Sequence, residues 1–422
     1  MKAFKSEFIK KLITLLSGGT LAQLIPLLLS PYIARNFSVE NLAVHGLYFS
    51  LVSVFAVSIT GKLEVAIIVP RSSRKAKQIF VAGFFICLFL SVVMLVLILI
   101  FGRELAMLLG SRNLQEYLII VPFSVFVVGV YQLVSYWLIR KSKIKQLAGF
   151  KPSQRIAESI SIVGTGFARI ESGLIISDFI GRVAVMLYAI FSIRRLIATL
   201  FSISVRDFKQ ILREYKSYII QLAPSSLANT LSMHLALFVV SSTYESEVTG
   251  QFNFVRMVVS LPLTFIGVSL SQVLLERLSK KSRNHQTIKR DVLMTTLGLI
   301  CLGIAFTLPL FIFGETIFVF IFGDKWARAG KFSEIMVIAA AVRFVASPLS
   351  ATLNAIDKIK PMSYWQWFYF GFILLLIPLS NFYSNPIDFL RVYVLIDICS
   401  YLLYWLVTYK FASAHDKAML DK

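Results

Sequence analysis

The stretch Gln78-Ile-Phe-Val-Ala-Gly-Phe-Phe-Ile-Cys-Leu-Phe-Leu-Ser-Val-Val-Met-Leu-Val-Leu-Ile-Leu-Ile-Phe101 carries no charged side chain. It exceeds the roughly 20 residues that cross a hydrocarbon core of about 30 Å as a helix, so it reads as a transmembrane span. Val292 to Gly314 is a second uncharged stretch of the same kind. The whole chain agrees with this reading. Of its 422 residues, 57% are hydrophobic and 15% charged, with a mean hydropathy of +0.76, whereas soluble domains hold roughly 45 to 50% and about 25%. This composition excludes an ordinary soluble protein and predicts an all-α polytopic membrane protein.

Apolar length places twelve candidate spans at 12–33, 45–70, 78–101, 117–139, 154–169, 173–193, 217–241, 249–275, 291–313, 331–356, 363–381 and 389–409. Lys10 and Lys11 precede the first as they would a signal peptide, but the run to Ile33 exceeds an h-region and reads as a retained helix. The fifth span is short and carries Glu158, Gly164 and Gly166, so hydropathy alone does not secure it. Charge does. With twelve spans and an inner N-terminus, 31 Lys and Arg residues fall on cytoplasmic segments and eight on outer ones, as the positive-inside rule requires. Removing the fifth span would move the last four cytoplasmic groups outside and erase the bias. Both termini are therefore expected in the cytoplasm. The net charge of +21 is a topology signal rather than a nucleic-acid footprint, because the cations sit in short runs between apolar segments.

Between the sixth and seventh spans, Ser204-Val-Arg-Asp207 has the pattern of a capping box. Val205, Phe208, Leu212 and Tyr215 follow at helical spacing. This predicts an amphipathic helix on the inner membrane surface, with Arg206, Lys209, Arg213 and Lys216 toward lipid phosphates; a solvated basic linker is the alternative.

The two halves echo each other. Ser17-Gly-Gly-Thr-Leu-Ala-Gln23, Glu40, Gly46-Leu-Tyr48 and Pro70-Arg-Ser-Ser-Arg-Lys75 have counterparts in Pro224-Ser-Ser-Leu-Ala-Asn-Thr230, Glu247, Gly250-Gln-Phe252 and Leu275-Glu-Arg-Leu-Ser-Lys280. A second echo links Phe101-Gly-Arg-Glu104 to Phe322-Gly-Asp-Lys-Trp326. The expected organisation is an N-terminal lobe over 1–193, a cytoplasmic amphipathic linker over 194–216 and a C-terminal lobe over 217–422. The two six-helix lobes would be related by a pseudo-two-fold along the membrane normal, with substrate between them.

Leu16-Ser-Gly-Gly-Thr-Leu-Ala-Gln23, Lys62-Leu-Glu-Val-Ala-Ile-Ile-Val-Pro70, Gly129-Val-Tyr-Gln-Leu-Val-Ser-Tyr-Trp-Leu-Ile-Arg140, Arg256-Met-Val-Val-Ser-Leu-Pro-Leu263 and Ser347-Pro-Leu-Ser-Ala-Thr-Leu-Asn354 resemble Wzx-type polysaccharide flippases. The family often shows Arg-Tyr-Glu where this chain has Lys62-Leu63-Glu64. The resemblance implies the twelve-helix fold of the multidrug/oligosaccharidyl-lipid/polysaccharide exporter (MOP) superfamily. It implies a flippase, not an enzyme, moving undecaprenyl-pyrophosphate-linked oligosaccharide repeat units across the bacterial cytoplasmic (inner) membrane for O-antigen, lipopolysaccharide or capsule biosynthesis. Its implied partners are that lipid-linked substrate, membrane lipids, and the polysaccharide polymerase and chain-length machinery.

A charged side chain at the bilayer centre costs at least about 2.5 to 3.5 kcal/mol on insertion scales, so each needs a reason. Lys62, Arg182, Arg256 and Arg343 are the cations within spans; Glu64, Asp178 and Asp397 are the clearest acids. Asp178 and Arg182 are four apart, which predicts a local ion pair. Arg256 and Arg343 have no acid at helical spacing, so each faces a partner on another helix, a water-filled cavity or an anionic ligand. For the lipid pyrophosphate that the resemblance implies, arginine offers a planar, permanently charged fork of donors. Arg256 and Arg343 are then first candidates for the headgroup, with Lys62 and Arg182 completing a cationic cavity; interhelical pairing is the competing reading. Glu64, Asp178 and Asp397 are candidates for coupling to H+ or Na+, or for structural ion pairs. Tyr364-Trp365-Gln-Trp367-Phe-Tyr369 suits an interfacial belt, with sugar stacking as the minority reading.

Cys87, Cys301 and Cys399 lie in apolar runs, and His45, His234, His285 and His415 have no neighbour at metal-ligand spacing. No cofactor or metal is expected. A membrane glycosyltransferase would need more than the short outer segments, about 102–116 and 314–330. An ion-coupled exporter of small cationic drugs and a flippase of another lipid-linked cell-wall precursor stay open as alternatives.

Overall fold

The computed structural model describes residues 25–194, 205–284 and 286–420, and these are almost wholly helical. The first half holds α1 (Ile25–Asn36), α2 (Val39–Ala56), α3 (Ser73–Leu108), α4 (Ile120–Arg140), α5 (Phe150–Phe167) and α6 (Gly173–Ser192). After α7 (Val205–Glu214) come α8 (Ala223–Thr243), α9 (Ser246–Arg283), α10 (Lys289–Phe322), α11 (Ala327–Ala346), α12 (Ile359–Leu374) and α13 (Pro386–Leu420). Where they lie among the described residues the expected spans fall on these helices, the second and eleventh each continuing into a further short helix, and the all-α polytopic fold class is borne out. Nine helices among the described residues are long and apolar enough to cross a membrane. The polar α5 is not one of them. It buries Gln154 and Glu158 toward protein and turns Ile156, Ile160 and Phe167 outward, so its polar residues line the protein side while its apolar ones face out.

Hydropathy cannot separate a lipid-facing helix from a protein-covered one, but burial does. The most apolar window of α2 is 67% buried inside the protein and that of α3 only 17%. Along α3 the side chains of Phe89, Leu99 and Ile100 point outward, which in a bilayer is contact with acyl chains and needs no protein partner.

The helices form two compact units, one spanning 36–250 and the other joining the chain up to Arg35 to 251 onward. The expected lobes end at 193 and begin again at 217, so α8 and α1 lie outside the units those boundaries would give them. Within 36–250, α8 joins α2 through His234 Nδ1 and Ser50 Oγ at 2.8 Å. Ser241 Oγ donates to the Leu109 carbonyl at 2.6 Å. Gly110 there takes φ +65°, and a Cβ on it would stand 2.1 Å from the Ser241 carbonyl oxygen, so only glycine fits. In the other unit α1 ends against Trp326, whose Nε1 donates to the Ala34 carbonyl at 3.0 Å. The exchange is reciprocal: the first helix of each sequence repeat packs within the unit that holds most of the other repeat. A repeat in sequence records order along the chain, not packing partners.

One echo is in the wrong register. Gly102 lies inside α3 and Gly323 ends α10 with φ +99°. The structural counterpart of Gly323 is Gly110, the glycine with positive φ that follows α3 and precedes a short 3-10 turn, Arg112–Tyr117, as Gly323 precedes Asp324–Trp326. Matching by residue type at Phe-Gly missed this conformational role. The Ser17 to Gln23 segment lies outside the described residues.

α7 is the helix expected in the linker. The helix forms, but Ile211 and Tyr215 are buried in a core with Leu63, Phe80, Leu133 and Trp137, and Phe208 and Leu212 pack against it. Its apolar side is covered by protein, so it is not a solvated linker. Arg206, Lys209, Arg213 and Lys216 remain exposed. Lys75, at the start of α3, meets Glu214 at 2.5 Å. Ser204, the expected cap, lies outside the described residues.

Two spans are broken. After α2 the chain turns through 57–62 before one short helix, Leu63–Ala66, and in the turn Gly61 and Lys62 both take positive φ. The span at α10 kinks at Phe313 (φ −123°, ψ 23°), beside Gly314, which approaches α11 so closely that a Cβ on it would stand 2.8 Å from the Gly330 carbonyl oxygen. The kink leaves the Glu315 N–H to the Glu334 carboxylate on α11, 3.0 Å away.

Candidate functional site

Each unit holds buried ionic groups drawn from the expected site residues. In 36–250, α6 places Asp178 and Arg182 one turn apart, and the guanidinium grips the carboxylate through Nε and through Nη2, the latter at 3.0 Å. Both are buried. The expected local pair is therefore formed, and the guanidinium also covers the Phe49 ring with its centroid 5.6 Å away. A second pair, Arg155 to Glu158 at 2.7 Å, lies on α5. Gly181 makes this layering possible, since a Cβ there would approach Glu158 Cβ to 2.8 Å.

Lys62 and Glu64 meet at the break after α2. Lys62 Nζ is 3.7 Å from Glu64 Oε1, and the Thr60 hydroxyl donates to the other carboxylate oxygen. Glu64 is nearly inaccessible and Lys62 only slightly exposed. The left-handed backbone at Lys62 is unusual for a residue with a Cβ and turns the chain back into the Leu63–Ala66 helix.

In the other unit, Arg343 on α11 and Asp397 on α13 join across 54 residues of sequence. A single nitrogen, Nη2, makes both contacts, 2.8 Å to Oδ1 and 2.7 Å to Oδ2. Nε is buried with no hydrogen-bond partner. Asp397 is 2% exposed and Arg343 27%, so the carboxylate is the enclosed member and the guanidinium the accessible one. Tyr369 Oη donates to Asp397 Oδ1 at 2.9 Å, and the Tyr401 ring lies 5.1 Å from the guanidinium carbon. Arg256 on α9 stands over Phe252 at 5.8 Å. The Phe252 ring beneath it meets Tyr393, four residues before Asp397, with centroids 6.0 Å apart, so Arg256 sits over a ring that packs on the helix carrying Asp397.

The aromatic run on α12 divides by helix face. Tyr364, Trp367 and Phe368 point outward, as an interfacial belt does. Trp365 and Tyr369 turn inward and stack with centroids 5.4 Å apart and planes 4° from parallel. Trp365 Nε1 donates to the Ser400 carbonyl at 2.8 Å, and Tyr401 and Tyr404 close around it at 5.2 and 4.4 Å. Sequence reasoning missed this inner wall, although Tyr393, Asp397 and Tyr401 recur at i, i+4 and i+8 on one face of α13 and so mark it. It also missed Arg155 as the partner of Glu158.

Lys62, Glu64, Asp178 and Arg182 thus lie in the unit over 36–250, and Arg256, Arg343 and Asp397 in the other. Each of the three carboxylates proposed for ion coupling is held by a cation. Among the described residues no three His, Cys, Asp or Glu side chains gather in a way that would hold a metal ion.

Residues 32–331 match the model of a family described as polysaccharide biosynthesis protein. The chain belongs to this family. The flippase resemblance read from its motifs is borne out at that level. A teichuronic acid biosynthesis protein, TuaB, from Bacillus subtilis (strain 168) is 23% identical over 190 residues, which are 44% of this chain and 38% of that relative. The aligned part is thus well under half of the curated relative's length. Among solved structures, an inward-facing multidrug resistance MATE family transporter of the MOP superfamily superposes with a TM-score of 0.73 at 14% identity, covering 94% of this chain and 96% of the other. The lipid II flippase MurJ in an inward closed conformation gives 0.74 at 17% identity, covering 95% and 89%. These likenesses establish the fold. The family member described here is a multi-pass membrane protein of polysaccharide biosynthesis with the fold of MOP-superfamily transporters.

Proposed function

We propose that the protein is a flippase that carries undecaprenyl-pyrophosphate-linked oligosaccharide repeat units from the cytoplasmic to the outer leaflet of the bacterial cytoplasmic membrane by alternating access, for O-antigen, lipopolysaccharide or capsule assembly. The family membership and the fold support a transport role in polysaccharide synthesis. The observation that carries the substrate class is Arg343: a guanidinium on a membrane helix, 27% accessible, with Nη2 alone engaged by Asp397 and Nε without a partner. Arginine binds phosphate by presenting two parallel donors, and this residue retains donors for that purpose.

The accessible member of the pair is a cation, which supports an anionic cargo over the cationic drugs of an ion-coupled exporter. Coupling to H+ or Na+ through Glu64, Asp178 or Asp397 has less support, because each is already paired with a cation. The distribution of Lys and Arg supports an inner-membrane orientation with both termini cytoplasmic. On this reading the cargo is handed to the polymerase and chain-length machinery. Another lipid-linked cell-wall precursor is the second reading, favoured by the teichuronic acid relative.

Lipid extracts of a deletion strain test the proposal. Accumulated undecaprenyl-linked repeat units and lost surface polysaccharide are expected; unchanged intermediates with normal surface polysaccharide would sink it.

A further inference from the structure

We infer that Tyr369 is a positioning residue that keeps Asp397 hydrogen-bonded when Arg343 leaves it for an anionic headgroup, so that the Arg343–Asp397 pair is an exchangeable counter-ion and not a fixed strut. This rests on the reading of Arg343 as a phosphate ligand.

The two members of the pair are held very differently. Asp397 is enclosed and receives two kinds of donor, the guanidinium and the phenol of Tyr369. Arg343 is the accessible member, and its hold on Asp397 runs through one nitrogen. The Tyr401 ring, 5.1 Å from the guanidinium carbon, is an aromatic contact and not a second charge on it. A movement of the pair therefore starts from Arg343.

An anion that captures Arg343 has to leave a buried carboxylate behind. In a low-dielectric interior a carboxylate without donors is costly and would pull the cation back. Tyr369 prevents this, because its hydroxyl stays on Oδ1 whichever way Arg343 points. The phenol is itself fixed. Tyr369 is buried and stacked on Trp365, and Trp365 is tied to the Ser400 carbonyl, one turn of α13 from Asp397. Tyr369 and Asp397 thus belong to one rigid assembly, and Arg343 is the part that exchanges. Asp397 then acts as an internal competitor for the site where a phosphate would bind, and Tyr369 sets how strongly it competes.

The test is binding of undecaprenyl pyrophosphate to the detergent-solubilised full chain, read as the concentration for half saturation. Tyr369→Phe keeps the ring stack but removes the hydroxyl, so Arg343 is held harder and binding weakens about tenfold, the scale of one hydrogen bond to a charged group. Asp397→Asn removes the competitor, so it binds at least as tightly as the wild type. Adding Tyr369→Phe to Asp397→Asn then changes little. Wild-type binding by Arg343→Ala would overturn the underlying phosphate reading. If Arg343→Ala loses binding while Tyr369→Phe binds like the wild type, or weakens binding equally in the Asp397→Asn background, only the exchange is overturned. Asp397→Asn binding as poorly as Arg343→Ala would make the pair a strut, which also contradicts the inference and does so without relying on Tyr369→Phe.

Discussion

Trp326 and Ala34, 292 positions apart, are joined by an indole N–H to carbonyl hydrogen bond of 3.0 Å. Trp326 is fully enclosed, with the ring of Phe254 4.0 Å away and Phe318 and Phe322 meeting Phe254 edge-on beyond it. Trp326→Ala is expected to cost about 3 to 5 kcal/mol through cavity formation. Trp326→Phe keeps most of the packing and loses about 1 kcal/mol with the hydrogen bond. Thermal unfolding in detergent checks the ranking; equal midpoints for the two variants would contradict it.

Asp416, on the last helix, caps the start of α10 by accepting from the Ile288 N–H at 2.7 Å and the Lys289 N–H at 3.0 Å. Removing such a cap typically costs about 0.5 to 2 kcal/mol. Asp416→Ala is expected to fall in that range, with Asp416→Asn between it and the wild type because one acceptor oxygen remains. A midpoint for Asp416→Ala indistinguishable from the wild type would show that the cap contributes nothing.

Lys62 permits separation of backbone from charge. Lys62→Ala and Lys62→Gly both remove the ammonium from Glu64, but only glycine relaxes the left-handed φ of 60°. The alanine variant is therefore expected to be less stable than the glycine variant by about 1 to 2 kcal/mol. The reverse order would mean that the backbone at this break is not left-handed in the working protein.

Much of this architecture was legible in the residues. The span positions follow from apolar length, and α5 follows from the placement of Lys and Arg, because a membrane constrains both directly. The Asp178–Arg182 pair follows from a spacing of four. Arg343 and Asp397 were recognisable as needing partners off their own helices, since burial without a local counter-charge is expensive. Which helix packs on which was not legible, because apolar side chains facing lipid and facing protein look alike; hence the exchange of α1 and α8 and the burial of α7. The turn at 57–62 was hidden for another reason. Lys62 is not a residue type that signals a left-handed conformation, and the apolar run continues through it.

The charge cluster makes its own prediction. Arg343→Ala should reach near-normal abundance, because Tyr369 still donates to Asp397, yet abolish surface polysaccharide; Arg343→Lys should retain part of the activity, having the charge but not the planar fork. The exchange Arg343→Asp with Asp397→Arg should restore the ion pair and abundance but not transport, since the guanidinium would then occupy the enclosed position. Abundance from membrane immunoblots and polysaccharide from cell-surface extracts separate these outcomes. Poor abundance of Arg343→Ala rescued together with transport by the exchange would make the pair purely structural.

The central claim is transbilayer movement of a pyrophosphate-linked glycolipid. The most direct measurement is in proteoliposomes containing undecaprenyl-pyrophosphate-linked N-acetylglucosamine with the sugar on one leaflet, followed by its accessibility to a membrane-impermeant sugar-modifying reagent. Wild-type protein is predicted to move the sugar to the opposite leaflet well above the rate in protein-free vesicles, with Arg343→Ala at the protein-free rate. Wild-type protein at the protein-free rate, or Arg343→Ala flipping as fast as wild type, would contradict the account.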